Sequence, residues 1–231
     1  MADHKRIRIC VASPSDVAPE RARLATVIDE LNRTLGTRFK ITLELARWET
    51  HVAPFMGRPQ QVVLDQLPVE SWDVFIGILW MRFGTKSGAV DPVTGREFLS
   101  GTEEEFVLAY RSWRTTERPK ILFYRCMRPA SIREIDPEQL GRVKAFFDGF
   151  SADGPHPGLV QEYDQPEEFE RRVREHLINV LLDYCSESGH PMSVSLPASL
   201  LPSRVARIPV SYTHLRAHET RHDLVCRLLL E

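Results

Sequence analysis

The chain has 231 residues, 42% hydrophobic and 27% charged, a globular composition that excludes collagen, a low-complexity polymer and a wholly disordered chain. Lys and Arg number 30 against 32 Asp and Glu, and the net charge of −2 is not the electrostatic footprint of a nucleic-acid binder. No apolar run approaches the roughly 18–20 residues of a membrane span, the polar start Met1-Ala2-Asp3-His4-Lys5-Arg6 has no signal-peptide core, and Cys10, Cys126, Cys185 and Cys226 form no CxxC pair, so the expected setting is a reducing cytoplasm.

Residues 5–13 form a β-branched run and predict strand 1. Ser13-Pro14-Ser15-Asp16 is turn chemistry, with Ser15 or Asp16 available to cap a helix over 17–35, whose stripe is Leu24, Val27, Ile28, Leu31 and Leu35, ending at Gly36. Alternation over 40–48 predicts strand 2, and a loop through His51–Pro59 leads into a short helix at about 59–67. Residues 73–80 are almost wholly apolar, the mark of a strand buried on both faces at the centre of a parallel sheet. A long loop, 81–101, carries Gly84, Gly88, Gly95 and Gly101; loops of this length in a compact domain are more often functional than not.

Helix 102–115, strand 121–124, a helix over 136–149 opened by Asp136-Pro137, a short edge strand within 158–163 and an amphipathic helix over 166–185 complete the pattern. Alternating strands and helices with right-handed crossovers predict an α/β, flavodoxin-like, three-layer α/β/α domain over 1–185 with a five-stranded parallel sheet in the order 2-1-3-4-5. Its crevice lies outside the C-terminal strand ends, between strands 1 and 3, where loops 13–19 and 81–101 meet. Residues 186–208, with Pro191, Pro197 and Pro202, read as a Pro/Ser-rich linker.

Residues 209–231 resemble a translated sequencing adapter. Ser211-Tyr212-Thr213-His214-Leu215-Arg216-Ala217-His218-Glu219-Thr220 and Leu224-Val225-Cys226-Arg227-Leu228-Leu229-Leu230-Glu231 match its two halves in frame and order, with Arg221-His222-Asp223 at the variable index. On that reading the natural chain was cut short. The helical row His214, His218, His222, which otherwise suggests a metal site, is then no site, and no metal is expected.

The richest chemistry is in Ser100-Gly101-Thr102-Glu103-Glu104-Glu105-Phe106. A glutamate here can accept ribose hydroxyls or stabilise an oxocarbenium-like centre. Equally, Thr102-x-x-Glu105 reads as a capping box, with acidic residues complementing the helix dipole. On the opposite rim, Ser13, Ser15 and Asp16 can hold a phosphate at a helix start, or merely cap it. Arg47-Trp48-Glu49 and Trp80-Met81-Arg82-Phe83-Gly84 place an aromatic and an arginine at strand ends, a platform for a base and a phosphate or, alternatively, a packed indole beside a solvated guanidinium. No dinucleotide fingerprint, P-loop or hydrolase elbow is present, and His51, His156, His176 and His190 have no metal or triad spacing.

In order along 5–185, Ile9-Cys10-Val11-Ala12-Ser13-Pro14-Ser15-Asp16-Val17 with Glu20-Arg21, Arg47-Trp48-Glu49, the Asp73 to Trp80 run, Arg82-Phe83-Gly84 and the Ser100 to Phe106 segment resemble the domain-of-unknown-function 4062 family, which opens on SS-x-x-D-x-x-x-ER. The resemblance implies a fold like that of Toll/interleukin-receptor (TIR) domains, at the N-terminus of larger signalling NTPases that often carry repeats. Some TIR domains cleave NAD with a glutamate early in the helix after the third strand. By that resemblance Glu105 is the catalytic candidate and Glu103 the runner-up, while Gly101 stands where many active TIR domains carry an aromatic residue. Arg82, Gly84 and the turn Ser13, Ser15, Asp16 would hold phosphates, and Trp48 or Trp80 would stack on a ring. The implied function is a TIR-like signalling or bacterial defence module that cleaves NAD or a related nucleotide as substrate, needs no separate cofactor, and acts through self-association or a missing C-terminal NTPase and repeat region. The alternatives are a non-catalytic protein-interaction adaptor and a nucleoside-processing transferase. No membrane or nucleic-acid partner is expected.

Overall fold

A computed structural model describes residues 4–46 and 59–187. Five strands, β1 (Lys5–Ala12), β2 (Ile41–Ala46), β3 (Val74–Leu79), β4 (Lys120–Cys126) and β5 (Val160–Tyr163), form one all-parallel sheet in the order β2-β1-β3-β4-β5, the flavodoxin-like order that the pattern predicts. The connecting helices are α1 (Ala18–Leu31), α2 (Pro59–Gln66), α3 (Gly101–Thr116), α4 (Pro137–Asp148) and α5 (Pro166–Glu187). Residues 186 and 187 therefore extend the last helix rather than opening a linker; the remainder of the predicted linker, and the adapter-like segment, lie outside the described residues. No described helix is long and apolar enough to cross a membrane.

Strand β3 is central because every one of its residues is buried. Its Gly77 is required by packing: a Cβ there would sit 2.3 Å from Cζ of Phe123 on β4. The Phe123 ring lies across the glycine and, with Phe75, reaches Phe106 of α3 at centroid distances of 5.5 and 6.4 Å. Cys10, Leu64 of α2, Ala109 of α3 and Phe147 of α4 complete this aromatic layer, so α2, α3 and α4 cover one face. Burial of each such side chain contributes about 1.5–3 kcal/mol.

The opposite face carries α1 and α5. Tyr124 of β4 packs against Phe169 of α5 with centroids 5.0 Å apart and makes a 2.8 Å hydrogen bond with Nδ1 of His176. The two helices are joined along their outer sides by Arg23 to Glu167 and Glu170, and by Arg174 to Glu30 at 2.9 Å. At the foot of the sheet, Tyr184 near the end of α5 donates to the Asp73 carbonyl at 3.0 Å, and its ring lies between Lys5 and Arg118.

The helix predicted over 17–35 breaks differently at both ends. Ser15–Val17 forms a short 3-10 turn, and α1 starts after Val17 with no side-chain cap, so neither Ser15 nor Asp16 caps it. After Leu31 the backbone widens into a π turn, Asn32–Gly36, where the Asn32 side chain bonds both backbone groups of Leu43 at 2.7 and 2.9 Å.

Candidate functional site

Described loops at the heads of the strands include those after β1, β3 and β4. They are tied together by the start of α1. Asp16 Oδ2 accepts from the amides of Met81 and Arg82 at 3.0 and 2.9 Å, fastening the first turn to the loop after β3. One turn further on, Glu20 is wholly buried and reaches Arg128, in the loop after β4, with 3.4 Å between Oε1 and Nη1. Burial, and after it the Glu20 charge, push the Tyr163 hydroxyl up, and the Cys126 thiol is raised by the same two causes. Glu20 thus sits close to the heads of β4 and β5. The Asp16-x-x-x-Glu20 spacing puts both carboxylates on one side of the chain, each gripping a different loop.

This arrangement bears on two expectations. Asp16 spends one oxygen on the backbone of the opposite loop, and Pro19 in the first turn of α1 has no N–H to offer. With two carboxylates and a missing donor, this helix start is a poor phosphate cradle. Ser13 Oγ and Asp16 Oδ1 are buried and make no hydrogen bond, while Ser15 is exposed on the turn. Trp80, expected to stack on a ligand ring, has the Arg128 guanidinium 4.3 Å over its own ring and donates Nε1–H to the Arg128 carbonyl at 3.0 Å.

The long loop after β3 is pinned at several points. Gln139 of α4 accepts from the amides of Phe83 and Gly84 at 2.8 and 3.2 Å. Gly84 has φ +102°, a left-handed conformation that favours glycine, so its role here is to turn the chain. Further along, Val90 and Glu97 form an antiparallel bridge around Asp91, whose two oxygens are each held by Arg111 at 2.7 Å. The Arg111 hydrogen bond, with those from Thr94 and the Val93 amide, keeps the Asp91 carboxyl far below the ordinary range. Arg82 is exposed; its backbone is engaged by Asp16.

The cap of α3 lies two residues earlier than Thr102-x-x-Glu105 predicts. Ser100 is the extended N-cap residue, with φ −159° and ψ 164°, and accepts from the Glu103 amide at 3.0 Å. Glu103 reaches back to the Leu99 amide and to Arg96, both at 2.6 Å. The runner-up carboxylate is therefore consumed in structure. Glu105 is half-buried one half-turn on, close enough to β1 that its charge adds to burial in raising the Cys10 thiol. Of the residues singled out in the sequence, the fold brings Ser13, Asp16, Trp80, Arg82 and Gly84 onto one rim, while Glu105 lies within electrostatic reach of Cys10 on β1. Trp48, with its neighbours Arg47 and Glu49, lies outside the described residues.

Glu20 stands with Arg21 on the same rim as Asp16 in the sequence reading but carries no role there; Arg128 and Gln139 were not foreseen and are brought in only by the fold. A trough of about 510 Å³ beside β5 takes in Phe150, Val160 and Arg125, but that guanidinium faces Glu162 at 3.5 Å and the Phe147 ring. Among the described residues no group of three or more His, Cys, Asp or Glu is placed to hold a metal ion, and the His214, His218, His222 row is not among them. No protein-family model matches the chain, and no curated protein matches it either.

Proposed function

We propose that this domain is a TIR-like effector module that hydrolyses the nicotinamide–ribose bond of NAD or a closely related nucleotide, with Glu105 as its catalytic carboxylate. The observation that carries the reading is the division of labour at the start of α3: Ser100 and Glu103 make the cap, and Glu105, half-buried, lies near enough to Cys10 of β1 for its charge to act there. A carboxylate with part of its water removed interacts more strongly with developing positive charge than one in bulk solvent.

In the reaction the C1′–N bond breaks, nicotinamide leaves with the bonding pair, and water adds to C1′ with loss of a proton. Glu105 stabilises the oxocarbenium-like centre between those events. Ser13 and Asp16, on the same rim, are the candidates for ribose hydroxyls. Exposed Arg82 suits a phosphate, and Trp48 remains the candidate for ring stacking. The domain would act in the cytoplasm as part of a larger signalling or defence protein that clusters it.

The test is nicotinamide release by the purified full chain, deliberately clustered. Glu105→Gln is expected to abolish release in a protein that still folds, with thermal melts to check it. A well-folded, clustered sample without turnover would sink the enzyme reading and favour an adaptor, for which the exposed Val90 and Val93 on the long loop, 59% and 73% accessible, are the specific support. Release of free bases from nucleosides, with NAD untouched, would point to a nucleoside-processing transferase.

A further inference from the structure

The Arg128 side chain is held from two directions and yet little used. Its guanidinium lies 4.3 Å over the Trp80 ring, and Trp80 also fixes the Arg128 backbone through the 3.0 Å bond to its carbonyl. Buried Glu20 faces Nη1 at 3.4 Å. That separation is well beyond the roughly 2.7–2.9 Å of a charge-assisted hydrogen bond. A guanidinium carries five N–H donors. Among the described residues Arg128 makes no other side-chain hydrogen bond, while 22% of its side chain remains accessible. The cation is thus oriented, partly desolvated and under-satisfied.

Its place in the fold matters as much. Arg128 follows β4 at the strand heads, and Trp80 directly follows β3. Ligands of open parallel sheets bind outside these strand ends. The planar fork of a guanidinium matches two phosphate oxygens, and a fork already immobilised by stacking loses little rotamer freedom on binding. Arg82, two residues beyond Trp80, supplies a second exposed cation on the same loop.

We infer that Arg128, stacked on Trp80 and oriented by Glu20, is an anion-binding residue that receives a phosphoryl group of the nucleotide at the heads of β3 and β4. The assignment rests on the nucleotide reading above for what carries the phosphate, and it gives Trp80 and Glu20 positioning roles. It also gives the Asp16-x-x-x-Glu20 spacing a purpose: one carboxylate secures the loop bearing Arg82, the other the loop bearing Arg128.

The probe is inorganic pyrophosphate, titrated into the full chain by calorimetry at low salt. Wild type is expected to bind it, and Arg128→Gln to weaken binding by at least about tenfold, the loss expected for charge-assisted hydrogen bonds. Arg128→Lys, which keeps the charge but not the fork, should fall between. Arg114→Gln, exposed on the far part of α3, should bind as wild type. Glu20→Gln should weaken binding less than Arg128→Gln, because the guanidinium is still present but less well aimed. Thermal melts of each variant separate misfolding from lost contacts. Pyrophosphate affinity unchanged in a folded Arg128→Gln, or no binding by wild type at millimolar probe, overturns the assignment. Binding that depends on Arg128 in a protein that releases no nicotinamide upholds the anion site and removes the NAD reading. Nicotinamide release unaltered in Arg128→Gln does the reverse.

Discussion

Replacing Glu103 by alanine removes two interactions of unequal weight. The Leu99 amide loses its acceptor at 2.6 Å, in a partly buried position, which costs about 1–3 kcal/mol. The Arg96 pair is also 2.6 Å, but the Arg96 side chain is 67% accessible and regains water when released, so that part is worth less than about 1 kcal/mol. The sum is about 1–4 kcal/mol. At about 2–4 °C per kcal/mol for a chain of this size, the midpoint should fall by about 2–16 °C. Glu103→Gln retains an amide oxygen for Leu99 and should lose less than about 1 kcal/mol. Ser100→Ala, which removes the N-cap acceptor, should lose about 0.5–2 kcal/mol. The assay is thermal and urea unfolding at neutral pH, with Glu105→Ala alongside. If Glu103→Ala melts with the wild type while Glu105→Ala drops by several degrees, the cap belongs to Thr102, and the assignment of Glu105 to chemistry loses its basis.

Two further outcomes concern Asp91 on the long loop and two half-buried histidines. Asp91→Ala strands Arg111 and frees the Thr94 turn; a loss of about 3 kcal/mol, as for breaking a buried pair, should appear with faster proteolysis and amide exchange confined to residues 85–99. Stability should also depend on two histidines. Burial, then Arg111 and Arg96, hold His156 below its ordinary value of 6.5, while burial does the same for His176. Both favour the neutral form when folded, so their contribution is complete above about pH 6.5 and is lost as pH falls toward the folded-state values. Melting midpoints measured from pH 8 to 5 should drop on the acid side. A His156→Gln, His176→Gln double variant should show a flatter profile, and an equally steep one would refute the assignment.

The sheet was legible because its signals are local. The unbroken apolar run 74–79 could only be a strand covered on both faces, and that placed β3 in the middle. Strand β4 reads short in sequence, as 121–124, because Lys120 and Arg125 interrupt the apolar pattern, yet the ladder continues through both to Cys126. The α3 cap was ambiguous for a simple reason. Ser100-x-x-Glu103 and Thr102-x-x-Glu105 are overlapping frames of one motif, and the choice depends on where the chain turns and on Arg96, upstream in the loop. Glu20 was the hardest to read. A glutamate in the first turn of a helix normally faces water, and the arginine that explains its burial lies 108 residues away. That same arginine lies over the Trp80 ring. Gln139 had no local signal at all, since its two acceptor contacts exist only once α4 has docked.

The seating of Tyr184 has a mechanical consequence. Its hydroxyl bonds the Asp73 carbonyl, and its ring is clamped between Lys5 and Arg118, so the last turns of α5 are fastened to the foot of β3. The head of that same strand runs directly into the loop that Asp16 and Gln139 hold down. Traction on the chain beyond Glu187 is therefore delivered to the base of the central strand, along the axis that ends at the candidate crevice. A reporter or clustering module joined in place of the residues after Glu187 would depart from the pole opposite the crevice and leave its mouth unobstructed.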